Sequence, residues 1–179
     1  MKLYSYVVDH DTGFAPNPFD NLCTLACCKF RNGKSGRRNI VELADEGDWI
    51  VGTGGVSKRS SGHGTIIYAM QVTTKISFAD YCDSPKFRER KDAEKSAPNE
   101  PWRQALISKH FFYFGRNAVQ IPPRFCQIMC GRGFKNRFSE TFVKKFITWV
   151  KKHKRGKTGQ PCAWENEKSP AKRKPRYAC

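Results

Sequence analysis

The sequence predicts an α/β (α+β) domain: a curled, mostly antiparallel, barrel-like sheet with a few flanking helices. Short β-branched and aromatic runs recur along the chain at residues 3–8, 49–54, 66–73 and 106–114, separated by segments rich in Gly, Pro, Asn and Asp. Only the segment after Ser139 carries a long apolar pattern at three- and four-residue spacing. With 39% hydrophobic residues in 179, the chain has material for one core. The expected organisation is a single domain over 1–164 and a basic, disordered tail over 165–179.

Taken in order, residues 3–8 (LYSYVV) read as the first strand and 9–20 as loop, with a tight turn presenting Phe19. Residues 23–30 (CTLACCKF) fit a short strand or a buried helical turn, and periodicity does not separate the two. Residues 39–43 read as another short strand leading into the turn Glu46-Gly47-Asp48. A strand follows from Trp49 and ends in the glycine-rich Gly52-Thr53-Gly54-Gly55; then come a polar, mobile loop over 57–65 and a strand over 66–73. Ser77 is placed to cap a short helix. Residues 106–114 read as one aromatic strand, broken by Pro122-Pro123. In the last helix, expected over 139–153, Ser139 is the N-cap, Phe142, Val143, Phe146, Ile147 and Val150 form the apolar stripe, and Gly156 is the stop.

The formal net charge is +17, and it is uneven: residues 120–179 hold 16 Lys and Arg against 3 Asp and Glu. Such an excess favours a polyanionic partner, because each neutralised phosphate releases condensed counterions. A solubilising tail explains Lys168 to Arg176 equally well, but not Arg124, Arg132, Lys135 and Arg137, which precede it. No apolar run approaches the roughly 20 residues that cross a membrane, and the first residues lack the pattern of a signal peptide. The expected location is therefore the cytoplasm, with no membrane association. There the eight cysteines are expected to be mostly reduced. The spacings Cys23/Cys27 and Cys126/Cys130 lack the companions of a zinc site, so no metal and no cofactor are expected.

A reader of a flipped or unpaired base needs flat apolar faces, polar groups for the base edge, and cations for phosphate. Trp49, Tyr68 and Tyr113, with Phe114, are the candidate faces, each with a core role as its alternative. Asn17, Thr53 and the backbone of Gly52 and Gly54 are the candidate edge-reading groups, since glycine lets a ligand approach the main chain. Arg132, Gly133 and Lys135 are the candidate phosphate site, with an ordinary basic turn as the alternative.

Catalysis has thinner support. The chain has neither a GxxxxGK[ST] loop nor the signature of a zinc deaminase, and its four histidines are scattered. A carboxylate–histidine pairing at His10 and Asp11, or a Cys23 nucleophile served by His10 or His63, remains conceivable. No catalytic residue is assigned. A third class is a scaffold tethered to a larger complex.

The strings Tyr4-Ser5-Tyr6-Val7-Val8, Gly13-Phe14-Ala15-Pro16-Asn17-Pro18-Phe19, Cys23-Thr24-Leu25-Ala26, Gly47-Asp48-Trp49-Ile50-Val51-Gly52-Thr53-Gly54, Tyr68-Ala69-Met70, Phe112-Tyr113-Phe114-Gly115 and Gly131-Arg132-Gly133-Phe134-Lys135 occur in that order. Together they resemble the nucleotide modification associated domain 2 family over roughly residues 2–164. The resemblance implies a setting in phage or bacterial DNA modification or defence, with nucleic acid (DNA first) or a nucleotide as partner, and possible membership of a DNA-modification complex. The family likeness carries this setting and no catalytic residue; the function expected of the chain is nucleic-acid or nucleotide binding with recognition of a modified base in a barrel pocket, the alternative being an enzyme acting on a modified nucleotide or base. The Gly-Asp turn, short strand and glycine loop are also similar to PUA-like barrels, including ASCH and EVE domains, although Thr53-Gly54-Gly55 departs from their hydrophobic continuation.

Overall fold

Strand β1 (Leu3–Val8) buries both of its faces: Tyr4, Tyr6 and Val8 enter one apolar cluster and Leu3 the other. A strand hydrophobic on both sides belongs at the centre of a layered fold. In a computed structural model of the chain, which describes residues 1–26, 38–93, 100 and 102–163, β1 is an interior strand of its sheet, paired on both edges. The elements that follow are β2 (Cys23–Leu25), α1 (Ile40–Leu43), β3 (Trp49–Gly54), β4 (Thr65–Gln71), β5 (Thr74–Ser77) and α2 (Phe78–Asp83). The second half adds β6 (Gln104–Ser108), β7 (His110–Tyr113), β8 (Val119–Gln120), β9 (Phe134–Lys135), α3 (Glu140–Val150) and β10 (Gly156–Lys157).

Seven strands form the main sheet, in the order β10-β7-β4-β3-β1-β9, with β8 pairing to β4 beside β7. The pairs β1/β3 and β10/β7 are parallel and the others antiparallel. A three-stranded antiparallel sheet, β2-β6-β5, lies apart from it. Tyr4, Tyr6, Tyr68, Met70 and Tyr113 of the main sheet pack with Cys23 and Leu25 of β2, Leu106 of β6, and Ile40 and Val41 of α1. The opposite face, with Trp49, Val51, Ala69 and Phe112, packs under α3 and a 3-10 turn over Pro123–Ile128. Eleven residues make too short a helix to persist alone in water. Burial of Val143, Phe146, Ile147 and Val150, at about 1.5–3 kcal/mol per large side chain, holds α3 in place.

The mixed α+β architecture and the large sheet stand, but the barrel does not close. The path ends at β9 and β10, each two residues long, and among the described residues no pairing joins them. Strands so short offer too few ladder hydrogen bonds to close a barrel. Residues 39–43 are not a strand but carry α1, because Asn39 and Glu42 form a reciprocal capping box. The aromatic run 106–114 is two strands in different sheets. The chain turns at Lys109, where the Ser108 hydroxyl donates to His110 O (2.9 Å) and accepts from His110 N (3.1 Å).

Helix α3 begins at the Ser139 cap as expected but ends at Val150, well before Gly156. Its last turn tightens into i→i+3 bonds from Lys152 to Trp149 and from His153 to Val150. Gly156, at φ 86°, instead starts β10. The loop 57–65 is tied down: Ser60 Oγ donates to Val8 O and accepts from Gly55 N. The tail 165–179, the residues of 23–30 beyond Ala26, Cys27, Cys28 and Cys179 lie outside the described residues.

Candidate nucleic-acid interface

Over 120–163 the sequence carries eleven Lys and Arg and the single acid Glu140, so the positive charge belongs to the folded part as well as to the tail. The pattern of α3 explains where that charge goes: with one stripe committed to the core, Lys144, Lys145, Lys151 and Lys152 are left exposed. Arg124, Arg132, Lys135 and Arg137 are exposed on the chain leading into it. Glu140 is held by Lys144 at 2.6 Å, which draws its carboxyl below the usual range. The local field is therefore positive, and such a surface attracts phosphate over a Debye length of about 8–10 Å.

Within the expected phosphate site, Gly131, Arg132 and Gly133 form an exposed turn, with Gly133 at φ 87° where a side chain would be strained. Lys135 is used differently. It pairs with Ser5 in the sheet, and its ammonium donates to Gln127 O (3.4 Å) and Met129 O (2.5 Å). Arg132 thus extends into solvent, while Lys135 is partly spent on its own fold.

The expected base-binding residues fall on two faces of the main sheet. Trp49 is 1% exposed and stacks on Phe112 at 6.4 Å under α3, with the Lys151 ammonium 6.0 Å from its ring. Tyr68 and Tyr113 are register partners on the other face. The Tyr68 hydroxyl meets that of Tyr6 at 2.8 Å, and Tyr113 donates to Asp11 Oδ1 at 2.5 Å. Gly52 is beside Tyr68: a Cβ on it would lie 2.3 Å from that ring and 2.6 Å from Val8. Gly54 is closed off in the same way by Gly62 O and Thr65 Oγ1, and the Thr53 hydroxyl donates to Tyr6 O at 3.2 Å. In this conformation the glycine loop admits the protein's own side chains.

Asn17 sits in a separate buried cluster. Its amide donates to Asp92 Oδ1 at 3.0 Å, and its carbonyl oxygens accept from Arg90 at 2.8 and 2.9 Å. Tyr81 and Thr24 donate to the same carboxylate at 2.8 and 2.5 Å. Burial pushes the Asp92 carboxyl up, and the Thr24 donor and Arg90 charge counter it. Asp11 is likewise raised by burial, against donors from Tyr113 and Cys162 N. Burial also drives the Cys23 thiol far above its ordinary range, so a thiolate nucleophile there has no physical support in this structure. His10 is exposed, 3.9 Å from Asp9.

Two segments, residues 1–100 and 92–168, match the profile of one family, described as nucleotide modification associated domain 2. The chain belongs to this family. No curated protein and no solved structure matches it significantly. For this member of the nucleotide modification associated domain 2 family, no helix among the described residues is long and apolar enough to cross a membrane. Among the same residues, no group of three His, Cys, Asp or Glu is placed to hold a metal ion.

Sequence reasoning missed two features of this family member. The Arg90–Asp92 cluster unites residues some 70 positions apart, a proximity that no local pattern encodes. The second is an aromatic file on one flank of α3. Phe138 stacks on Phe142 (5.3 Å), Phe142 meets Phe125 (5.8 Å), Phe125 meets Trp149 (5.5 Å) and Trp149 meets His153 (4.9 Å). The spacing of Phe142 and Trp149, two helical turns apart, was the available signal. Near Phe138 the surface dips into a concavity of about 370 Å³, lined in part by Lys2, Leu3, Asn136, Phe138, Glu140 and Val143.

Proposed function

We propose that this chain is a nucleic-acid-binding member of a nucleotide-modification family, gripping the phosphate backbone with the basic surface of α3 and the segment leading into it. One observation carries the reading: eleven cations face one acid over residues 120–163, and that acid is already paired with Lys144. DNA is the first candidate, on the family's association with nucleotide modification.

Recognition of a modified base is the finer part of the proposal, motivated by the family's association with nucleotide modification. The expected reading groups are packed in this conformation. Phe112 and the cluster under α3 already cover Trp49, and Tyr68 and Val8 already fill the space beside Gly52. This reading therefore assigns base capture, of the kind PUA-like barrels perform, to an opened state rather than a standing hole.

A salt titration of binding to labelled DNA is the test. The logarithm of affinity should fall linearly with the logarithm of salt concentration, and Arg132→Ala should lower the slope by about one contact without altering sequence preference. Affinity that stays constant from low to moderate salt would remove the proposal.

A further inference from the structure

We infer that the flank of α3 beside the 123–128 turn is a stacking strip for unpaired bases, so that the nucleic acid held here is single-stranded. This rests on the nucleic-acid binding proposed above and deepens it, naming the strand state and the side chains that meet the bases.

The strip follows from helix geometry. Phe142, Lys145 and Trp149 fall at i, i+3 and i+7, one row along the helix beside the buried stripe, and Lys152 follows in the tightened turn that closes it. Phe142 and Trp149 are partly buried, as is Phe138 just before the helix, so part of each surface faces solvent. All three belong to the continuous ring file, for which Phe125, 2% exposed, is the rigid backing. The Arg124 guanidinium lies 5.1 Å from the centre of the Phe125 ring that backs the file. Among the described residues, Arg124, Lys145 and Lys152 enter no ion pair, whereas Lys144, off this row, is held by Glu140.

Scattered surface aromatics are ordinary and need no partner. A contiguous ring file beside cations that enter no ion pair is different, because it matches one chemistry. Bases present π-faces every nucleotide and phosphates alternate with them, so rings and cations in one row track a strand. A duplex hides its base faces in the stack and would leave these rings idle. An acidic protein would satisfy the cations but gives the rings no matching planar groups. At its Phe138 end the strip meets the concavity described above, which also carries the Asn136 amide.

The test compares binding of the full chain to labelled oligothymidylate, oligouridylate and a DNA duplex of equal length at fixed salt. The single strands should bind about tenfold more tightly than the duplex. Phe142→Leu and Trp149→Leu, which keep apolar bulk, should each weaken single-strand binding about tenfold while leaving duplex binding and the salt slope unchanged. Ultraviolet cross-linking of the native protein should attach the strand to peptides containing Phe142 or Trp149, a readout that does not depend on a variant folding.

Folded leucine variants with native single-strand affinity would overturn the strip. So would cross-links confined to other peptides, or a concentration-dependent dimer that shields Trp149. Duplex binding equal to or tighter than single-strand binding would overturn it while leaving nucleic-acid binding intact. Failure to bind any of the three would remove both.

Discussion

Asp11 shows at the scale of one residue how the interior tolerates polar groups. Its side chain is buried, Tyr113 Oη donates to it at 2.5 Å, and Cys162 N donates to its other oxygen at 3.0 Å. Burial nonetheless wins, and its carboxyl lies above the ordinary value of about 3.9. The folded state thus binds this proton more tightly than the unfolded chain. The contribution of Asp11 to stability is greatest at low pH and falls as pH rises from the ordinary value through the raised one. Tyr113→Phe removes the donor that best supports the charged form, which raises the carboxyl further. The variant should therefore lose more stability at higher pH, reaching about 1–3 kcal/mol near neutrality. Urea melts of both proteins at acidic and neutral pH check this; a deficit that shrinks as pH rises would contradict it.

Helix α1 shows at the scale of elements why the sequence was only partly legible. Residues 39–43 contain an Ile-Val pair that favours a strand, yet the Asn39 side chain accepts from the first-turn N–H groups and the Glu42 carboxylate accepts in return from Asn39 N (3.3 Å). Asn39→Ala should cost about 1 kcal/mol in a denaturant melt, and Asn39→Asp should recover most of it. A loss indistinguishable from zero would show that packing of Ile40 and Val41 alone holds the turn. Strands β1, β3 and β4 and helix α3 were legible because their burial patterns are local. The split of 106–114 was only half legible: the polar break Ser108-Lys109-His110 marks the turn, but no local pattern says that its two halves join different sheets. Gly52 was ambiguous for a physical reason: a close approach looks alike in sequence whether a ligand or Tyr68 fills the space.

For the whole molecule, the question is where the charge that attracts a polyanion resides. Residues 165–179 contain five Lys and Arg against two Glu, whereas 120–163 contain eleven against one. If the tail were the main tether, its removal would abolish binding. The α3 surface predicts otherwise, because the larger share of the cations lies in the folded part, where Lys144, Lys145, Lys151 and Lys152 are exposed. We propose that the domain ends near residue 164, so a chain lacking 165–179 should fold with an unchanged melting temperature. It should keep its preference among nucleic acids, and its salt slope should fall by no more than about five contacts. Calorimetry and a salt titration of both chains decide the matter. A truncated protein that remains folded but no longer binds would place the interaction in the tail and leave α3 a solubilising face.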